Sequence, residues 1–176
     1  MKPGFLLRAV LSFGLSGIVL LVGLPHSAIA QQAANHVLSS AELEKLVPAE
    51  YFYRGQKATV QMRNAVGMET AGGMMVLAAL VDTSGYSTAI QQKYQGLLIT
   101  EAKLKIGGSE VGPGQYGFGF SADGKFMLMN VANSDLLSSN YQNDDAMKRA
   151  MPLKLVEDGG RYRLYAGKKY IAIQIE

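Results

Sequence analysis

Glycines in the stretch VGPGQYGFGF, residues 111–120, have the spacing of a dinucleotide-binding motif. Gly112, Gly114 and Gly117 spell G-x-G-x-x-G. Such a motif binds a pyrophosphate because it follows a strand and opens a helix, whose N-terminal amides point at the ligand. Here the glycines alternate with aromatic residues, a pattern that favours a strand over a helix. We therefore interpret them as places where strands bend or pack closely, and we expect no nucleotide cofactor.

A second phosphate motif follows a few residues after the first. The residues from Gly119 to Lys125 spell G-x-x-x-x-G-K, the spacing of a P-loop. The position that needs a Ser or Thr hydroxyl to hold magnesium is occupied by Phe126. The segment 121–124, Ser-Ala-Asp-Gly, is typical of a hairpin turn with Gly124 in the left-handed conformation. The sequence thus predicts two paired strands at this place.

An apolar segment runs into Asp82 and Thr83 in the sequence LAALVDTSG, residues 77–85. This order resembles the active-site approach of the aspartic proteases. The resemblance implies that Asp82 is half of a carboxylate dyad and that Thr83 supports it. A dyad needs two carboxylates that share one proton, so a symmetric dimer would supply the second. Ser84 stands where that family has glycine, and the alternative is that Asp82 ends a strand in an ordinary turn.

Five residues are candidates for ligand binding. Tyr116, Phe118 and Phe120 share one face of the predicted strand 115–120, where they would line a cavity for an apolar ligand or fill the core. Arg161 and Arg163 share one face of a predicted hairpin and would hold an anionic group. They belong to a basic C-terminal part: residues 148–176 hold seven basic and three acidic side chains.

Metal and thiol chemistry have few residues to draw on. The chain has no cysteine, and residues 31–176 contain a single histidine, His36. We therefore expect no disulfide, no cofactor and, in a monomer, no zinc site.

The N-terminus has the pattern of a secretory signal peptide. Lys2 and Arg8 precede an uncharged apolar run at 9–24. In the segment 28–30, Ala28 and Ala30 are small residues at the two positions that a signal peptidase reads. This run of sixteen residues falls short of the roughly 20 apolar residues that span a bilayer. We expect cleavage after Ala30, no stable membrane span, and export to the periplasm or the outside of a bacterial cell, where nucleic acid is not an expected partner.

Two-residue periodicity dominates the remaining chain. It predicts strands at residues 57–63, 74–81, 98–106, 115–120, 125–131, 153–157, 161–165 and 169–175. A capping box beginning at Ser39 predicts a short helix, and further helical segments are expected at 88–95 and 144–149. We therefore predict an N-terminal stub with a short helix at 31–56, followed by one all-β domain at 57–176. That domain would be a mainly antiparallel small barrel or sandwich with two or three short helices.

These observations favour an exported, non-catalytic binding or structural module. Its expected partner is a small apolar or anionic ligand, or a component of the cell envelope. The alternative is a dimeric aspartic-type hydrolase that uses Asp82.

Overall fold

Two antiparallel β-sheets stack against each other in the computed structural model, which describes residues 34–176. The signal peptide predicted for residues 1–30 lies outside the described residues. The elements are β1 (His36–Val37), α1 (Ser40–Leu46), β2 (Glu50–Tyr53), β3 (Gln56–Glu69), β4 (Met75–Val81), α2 (Thr88–Lys93), β5 (Gly96–Thr100), β6 (Leu104–Ile106), β7 (Ser109–Val111), β8 (Gly114–Phe120), β9 (Lys125–Met129), β10 (Asp135–Asn140), β11 (Gln142–Asn143), β12 (Met151–Asp158), β13 (Arg161–Gly167) and β14 (Lys169–Ile175). The predicted all-β class is confirmed.

The two sheets remain open, so the fold is a sandwich and the barrel alternative is wrong. The first sheet has the order β1-β3-β4-β5-β8-β9-β10, and β2 pairs with β3. The second has the order β12-β13-β14-β6-β7, and β11 pairs with β14. The predicted strand 98–106 is in fact two strands, β5 and β6, and the chain crosses from the first sheet to the second between them.

The main core lies between the two sheets. The first sheet contributes Phe118, Phe120, Phe126 and other apolar side chains, and the second contributes residues such as Leu164 and Ile173. Phe120 and Phe126 meet edge to face with ring centroids 5.1 Å apart. This is the arrangement that the ring quadrupole favours, and it adds specificity to the burial of apolar area.

A second core covers the opposite face of the first sheet. It contains Leu43 from α1 and a cluster of four tyrosines: Tyr51, Tyr53, Tyr86 and Tyr94. Tyr53 and Tyr94 stack with centroids 4.0 Å apart, and neither ring is exposed. The predicted N-terminal stub thus supplies part of this core, because its residues 38–53 pack against the sheet.

The helix predictions are only partly correct. The capping box is present: the Ser39 amide donates to the Glu42 carboxylate at 2.7 Å, and α1 follows it. Helix α2 begins at Thr88 as expected, although Ser87 is its cap and the helix ends at Lys93 instead of residue 95. The expected helical turn at 144–149 is wrong, since these residues form turns and bends. In the part of the chain that the structure describes, no helix is long and apolar enough to cross a membrane.

We predict opposite effects for two substitutions in the tyrosine cluster. The Tyr86 hydroxyl lies 3.1 Å from the Tyr53 carbonyl oxygen and 3.0 Å from that of Gln56, whereas the buried Tyr94 hydroxyl has no hydrogen-bond partner among the described residues. Tyr86→Phe should lower the free energy of unfolding by about 1–2 kcal/mol, because buried carbonyls lose their donor. Tyr94→Phe should leave it unchanged or raise it. Urea unfolding of both variants tests this, and a larger loss in Tyr94→Phe would contradict it.

The tyrosine cluster also predicts a loss of stability at alkaline pH. Burial raises the pKa of Tyr51 and of Tyr53 to about 12, and it also raises the pKa of Tyr94. Tyrosines of the unfolded chain ionise near pH 10. Between pH 10 and 12 the unfolded state therefore loses protons that the folded state keeps, so the free energy of unfolding should fall as pH rises. Urea unfolding at pH 9 and pH 11, followed with tyrosinate absorbance, measures this. Ionisation of all tyrosines near pH 10 without unfolding would contradict it.

Candidate functional site

The three predicted aromatic ligand residues lie on strand β8, but their side chains have different surroundings. Phe118 has no exposed surface, and its ring packs in the main core. Tyr116 is half-buried, and its hydroxyl donates to the Gly112 carbonyl at 2.8 Å. Phe120 is almost fully buried but also lines a surface cleft. Of the three, Phe120 is therefore placed to touch a molecule in that cleft.

Two glycines on the other face of β8 bring the second layer close to the strand. A Cβ at Gly117 would lie 2.8 Å from the Tyr94 ring, and one at Gly119 would collide with the Lys93 carbonyl oxygen. Their backbone is extended, and β8 pairs with β5 on one side and β9 on the other. Gly117 and Gly119 thus serve close packing, as the alternation predicts.

The cleft lies beside this contact, between α2 with the two residues that follow it and the β8–β9 hairpin. We call it the α2 cleft. It has a volume of about 740 Å³, and the apolar residues among those that line it are Phe120, Ala122 and Met127. Organic ligands of modest size occupy sites of roughly 300–1,000 Å³ with an apolar lining and a few polar groups.

Several polar groups of the α2 cleft are already used to hold its walls together. The side-chain amide of Gln95 pairs with the backbone of Phe120. Its nitrogen donates to the Phe120 carbonyl at 3.2 Å, and its oxygen accepts from the Phe120 N–H at 3.0 Å. Gln91 donates to the carbonyls of Thr83 and Tyr86 at 3.0 and 2.8 Å. The Gln95 bonds join the segment after α2 to β8, and the Gln91 bonds join α2 to the loop before it. The walls of the cleft are therefore held in place without a ligand.

Other polar groups of the α2 cleft remain uncommitted. Within residues 34–176, no side-chain hydrogen bond or ion pair engages Thr88, Gln92 or Lys169. Lys169 lies with its ammonium 5.0 Å from the centre of the Tyr141 ring, which leaves its charge without a carboxylate partner. By contrast Lys93, also at the cleft, is paired with Asp135 at 3.0 Å.

The two predicted arginines share the outer face of the second sheet but differ in their contacts. The Arg163 guanidinium contacts the Asp158 carboxylate at 2.6 Å and lies over the Tyr170 ring, 4.7 Å from its centre. Arg161 is exposed and lines a groove of about 250 Å³ together with Lys105 and other residues. The sequence could not distinguish the two arginines, since only the neighbouring strands decide which one is paired.

Asp82, the residue of the hydrolase alternative, lies at the exposed end of β4. Its carboxylate accepts the Ser84 N–H at 3.0 Å, and this bond holds the pKa of Asp82 below its usual value. Thr83 uses its carbonyl to accept from Gln91 and from the Tyr86 amide. An ordinary strand-ending turn gives the same geometry. Among the described residues no second carboxylate is bonded to Asp82, so the hydrolase interpretation gains no support from this geometry.

Residues 34–176 contain no group of three His, Asp or Glu side chains close enough to hold a metal ion. His36 lies 3.3 Å from the Glu42 carboxylate at the start of α1. This histidine is therefore part of a surface pair.

No protein-family model, curated protein or solved structure matches the chain. Its class is defined by the fold: an antiparallel β-sandwich protein with a preformed surface cleft.

Sequence reasoning missed several residues of these concave sites. The glutamines of α2 carried no signal, because their role depends on the strand against which the helix packs. The alternation does predict that Lys105 points outward from its strand. Its position opposite Arg161, across the strand β14 that lies between them, depends on a pairing that the sequence does not reveal.

We predict that Gly119 is required for stability and that Gly112, the first glycine of the G-x-G-x-x-G pattern, is not. Gly119→Ala should lower the free energy of unfolding by about 3 kcal/mol, because backbone atoms of α2 must move away from the new methyl group. A methyl group on Gly112 would have no atom within 4 Å, and the φ of Gly112 is not positive, so Gly112→Ala should change stability by about 0.5 kcal/mol at most. Urea unfolding compares them, and equal losses would contradict the packing role.

Proposed function

We propose that the protein is an exported, non-catalytic binding module whose ligand occupies the α2 cleft. The observation that carries this proposal is a cleft of about 740 Å³ with a mostly apolar lining, hydrogen-bonded walls and polar side chains that no described side chain bonds. Binding sites for small organic molecules combine these features. Preformed walls also favour affinity, because little conformational entropy is lost when the ligand binds.

The proposed ligand is a small organic molecule with an apolar body and an acidic group. Phe120 and Met127 would contact the apolar body, and the Lys169 ammonium would bind the acidic group. Thr88 and Gln92 offer a hydroxyl and an amide to further polar atoms. Asp123, on the hairpin, is negatively charged at neutral pH, and its hydrogen bond with the Ser121 hydroxyl lowers its pKa further. It disfavours an acidic group at its own position, so the acidic group belongs at Lys169.

Three probes with the same apolar body test the proposed charge preference: 4-phenylbutyrate, 4-phenylbutan-1-ol and 4-phenylbutylamine. We expect binding in that order of affinity, with a saturable shift of the Met127 methyl resonance in NMR spectra. Lys169→Gln should weaken 4-phenylbutyrate binding about tenfold, since a charge-assisted hydrogen bond is lost. It should leave the affinity for the alcohol unchanged.

The matched control is Lys168→Gln, which removes the same charge from the neighbouring residue outside the cleft lining. It should leave all three affinities within twofold of the unsubstituted protein. Preference for the amine, or shifts at sites other than the α2 cleft, would contradict the proposal.

A further inference from the structure

On the outer face of the second sheet, one cation lies on each side of a glutamine side chain. Lys105 is the register partner of Gln174, and the pair Tyr162–Ile173 places Arg161 beside Gln174 on the other side. Neighbouring strands are about 4.8 Å apart, so the backbones at Arg161 and Lys105 are roughly 10 Å apart. Both side chains are long enough to reach an object held between them.

Small residues create a depression at this place. Ala172 lies in the middle of the groove, and the β6–β7 turn at its edge consists of Gly107 and Gly108. Both glycines have positive φ, +57° and +91°. The small size of these residues leaves a groove of about 250 Å³, which we call the basic groove: Lys105, Gly107, Gly108, Arg161, Ala172 and Gln174.

The cations of the basic groove are not neutralised by the acids nearby. Asp158 is the register partner of Arg161, but its carboxylate is bonded to Arg163 instead. Glu110 is the register partner of Lys105, yet within the part of the chain that the structure describes no ion pair joins them. The described carboxylates therefore leave Arg161 and Lys105 with their charges unpaired.

We propose that the basic groove binds a phosphate group. An arginine guanidinium contacts two oxygens of a phosphate at once, and a lysine ammonium and a glutamine amide add further N–H donors. A phosphate monoester carries close to two negative charges at pH 7, which matches the two cations. The oxygens of a phosphate are arranged tetrahedrally, so donors on both sides of the groove can contact them. A planar carboxylate offers only two oxygens, both in one plane.

This inference goes beyond the proposed function and does not depend on it, because the basic groove and the α2 cleft have no lining residue in common. Lys169→Gln should therefore leave phosphate binding unchanged, and Arg161→Gln should leave 4-phenylbutyrate binding unchanged.

The experiment titrates the protein with inorganic phosphate and with glycerol 3-phosphate, at constant ionic strength, with acetate as the control anion. The amide resonances of Gly107 and Gly108 report on the groove in NMR spectra, and calorimetry gives the affinity. We expect saturable shifts with both phosphates and none with acetate. Arg161→Gln and Lys105→Gln should each weaken binding at least tenfold, and their unchanged melting temperatures would show that the fold is intact.

Lys154→Gln is the matched control, because Lys154 is an exposed cation on β12 of the same sheet but does not line the groove. It should change the affinity less than twofold. Equal weakening by Lys154→Gln would overturn the proposal in favour of a general basic surface, as would an absence of saturable shifts. Equal affinity for both soluble phosphates supports recognition of the phosphate group itself. Binding to phosphatidic acid vesicles without binding to either soluble phosphate would overturn the proposal.

Discussion

The first sheet is apolar on both faces, and this constraint organises the whole fold. Strand β4 points buried side chains in both directions: Val76 and Ala78 enter the main core, while Leu77 and Ala79 enter the second core. Exposing either face would forfeit about 25 cal/mol for each Å² of apolar surface. The second sheet covers one face, and α1, α2 and the tyrosine cluster cover the other. The N-terminal segment from Leu38 onward is needed for this second cover.

The glycines of β8 determine how closely that second cover approaches the sheet. At Gly117 a tyrosine ring lies on the strand, and at Gly119 the last carbonyl of α2 does so. Strand β8 pairs with β5 along residues 114–118 and with β9 along residues 117–120, and the Phe120 N–H donates to the Gln95 side chain. Its amides therefore hold the sheet together instead of forming a cradle for a phosphate. The α2 cleft opens where the helix ends and the hairpin beyond Phe120 leaves the sheet. Packing at two glycines thus positions the site, although neither glycine needs to touch a ligand.

Local features of the fold were predictable from the sequence, and long-range ones were not. Alternation located most strands because it depends only on which side each residue faces. It could not show that the chain changes sheets between residues 100 and 104, because buried positions continue through the break. Strand β10 has a polar sequence, DLLSSN, and was missed since its place at the sheet edge needs few apolar residues.

The same limit applies to the candidate site. The pattern placed Phe118 and Phe120 on one face, but their burial in the main core or exposure in a cleft depends on distant elements. The volume and lining of the α2 cleft follow from the meeting of α2 with a hairpin some 30 residues further along the chain. No local pattern encodes such a meeting.

The contrast between Arg161 and Arg163 shows that the contacts a side chain already makes decide whether it can bind a ligand, more than its residue type does. Two residues apart on one strand, both present a guanidinium on the outer face of the second sheet. A ligand that recruited Arg163 would have to compete with Asp158 and with the Tyr170 ring, and it would leave the carboxylate without its partner. A ligand that recruits Arg161 breaks no ion pair of the described residues. The same reasoning separates Lys169 from Lys93 in the α2 cleft. In both places the side chains that hold the fold together shape the site, and their unpaired neighbours are the groups available for recognition.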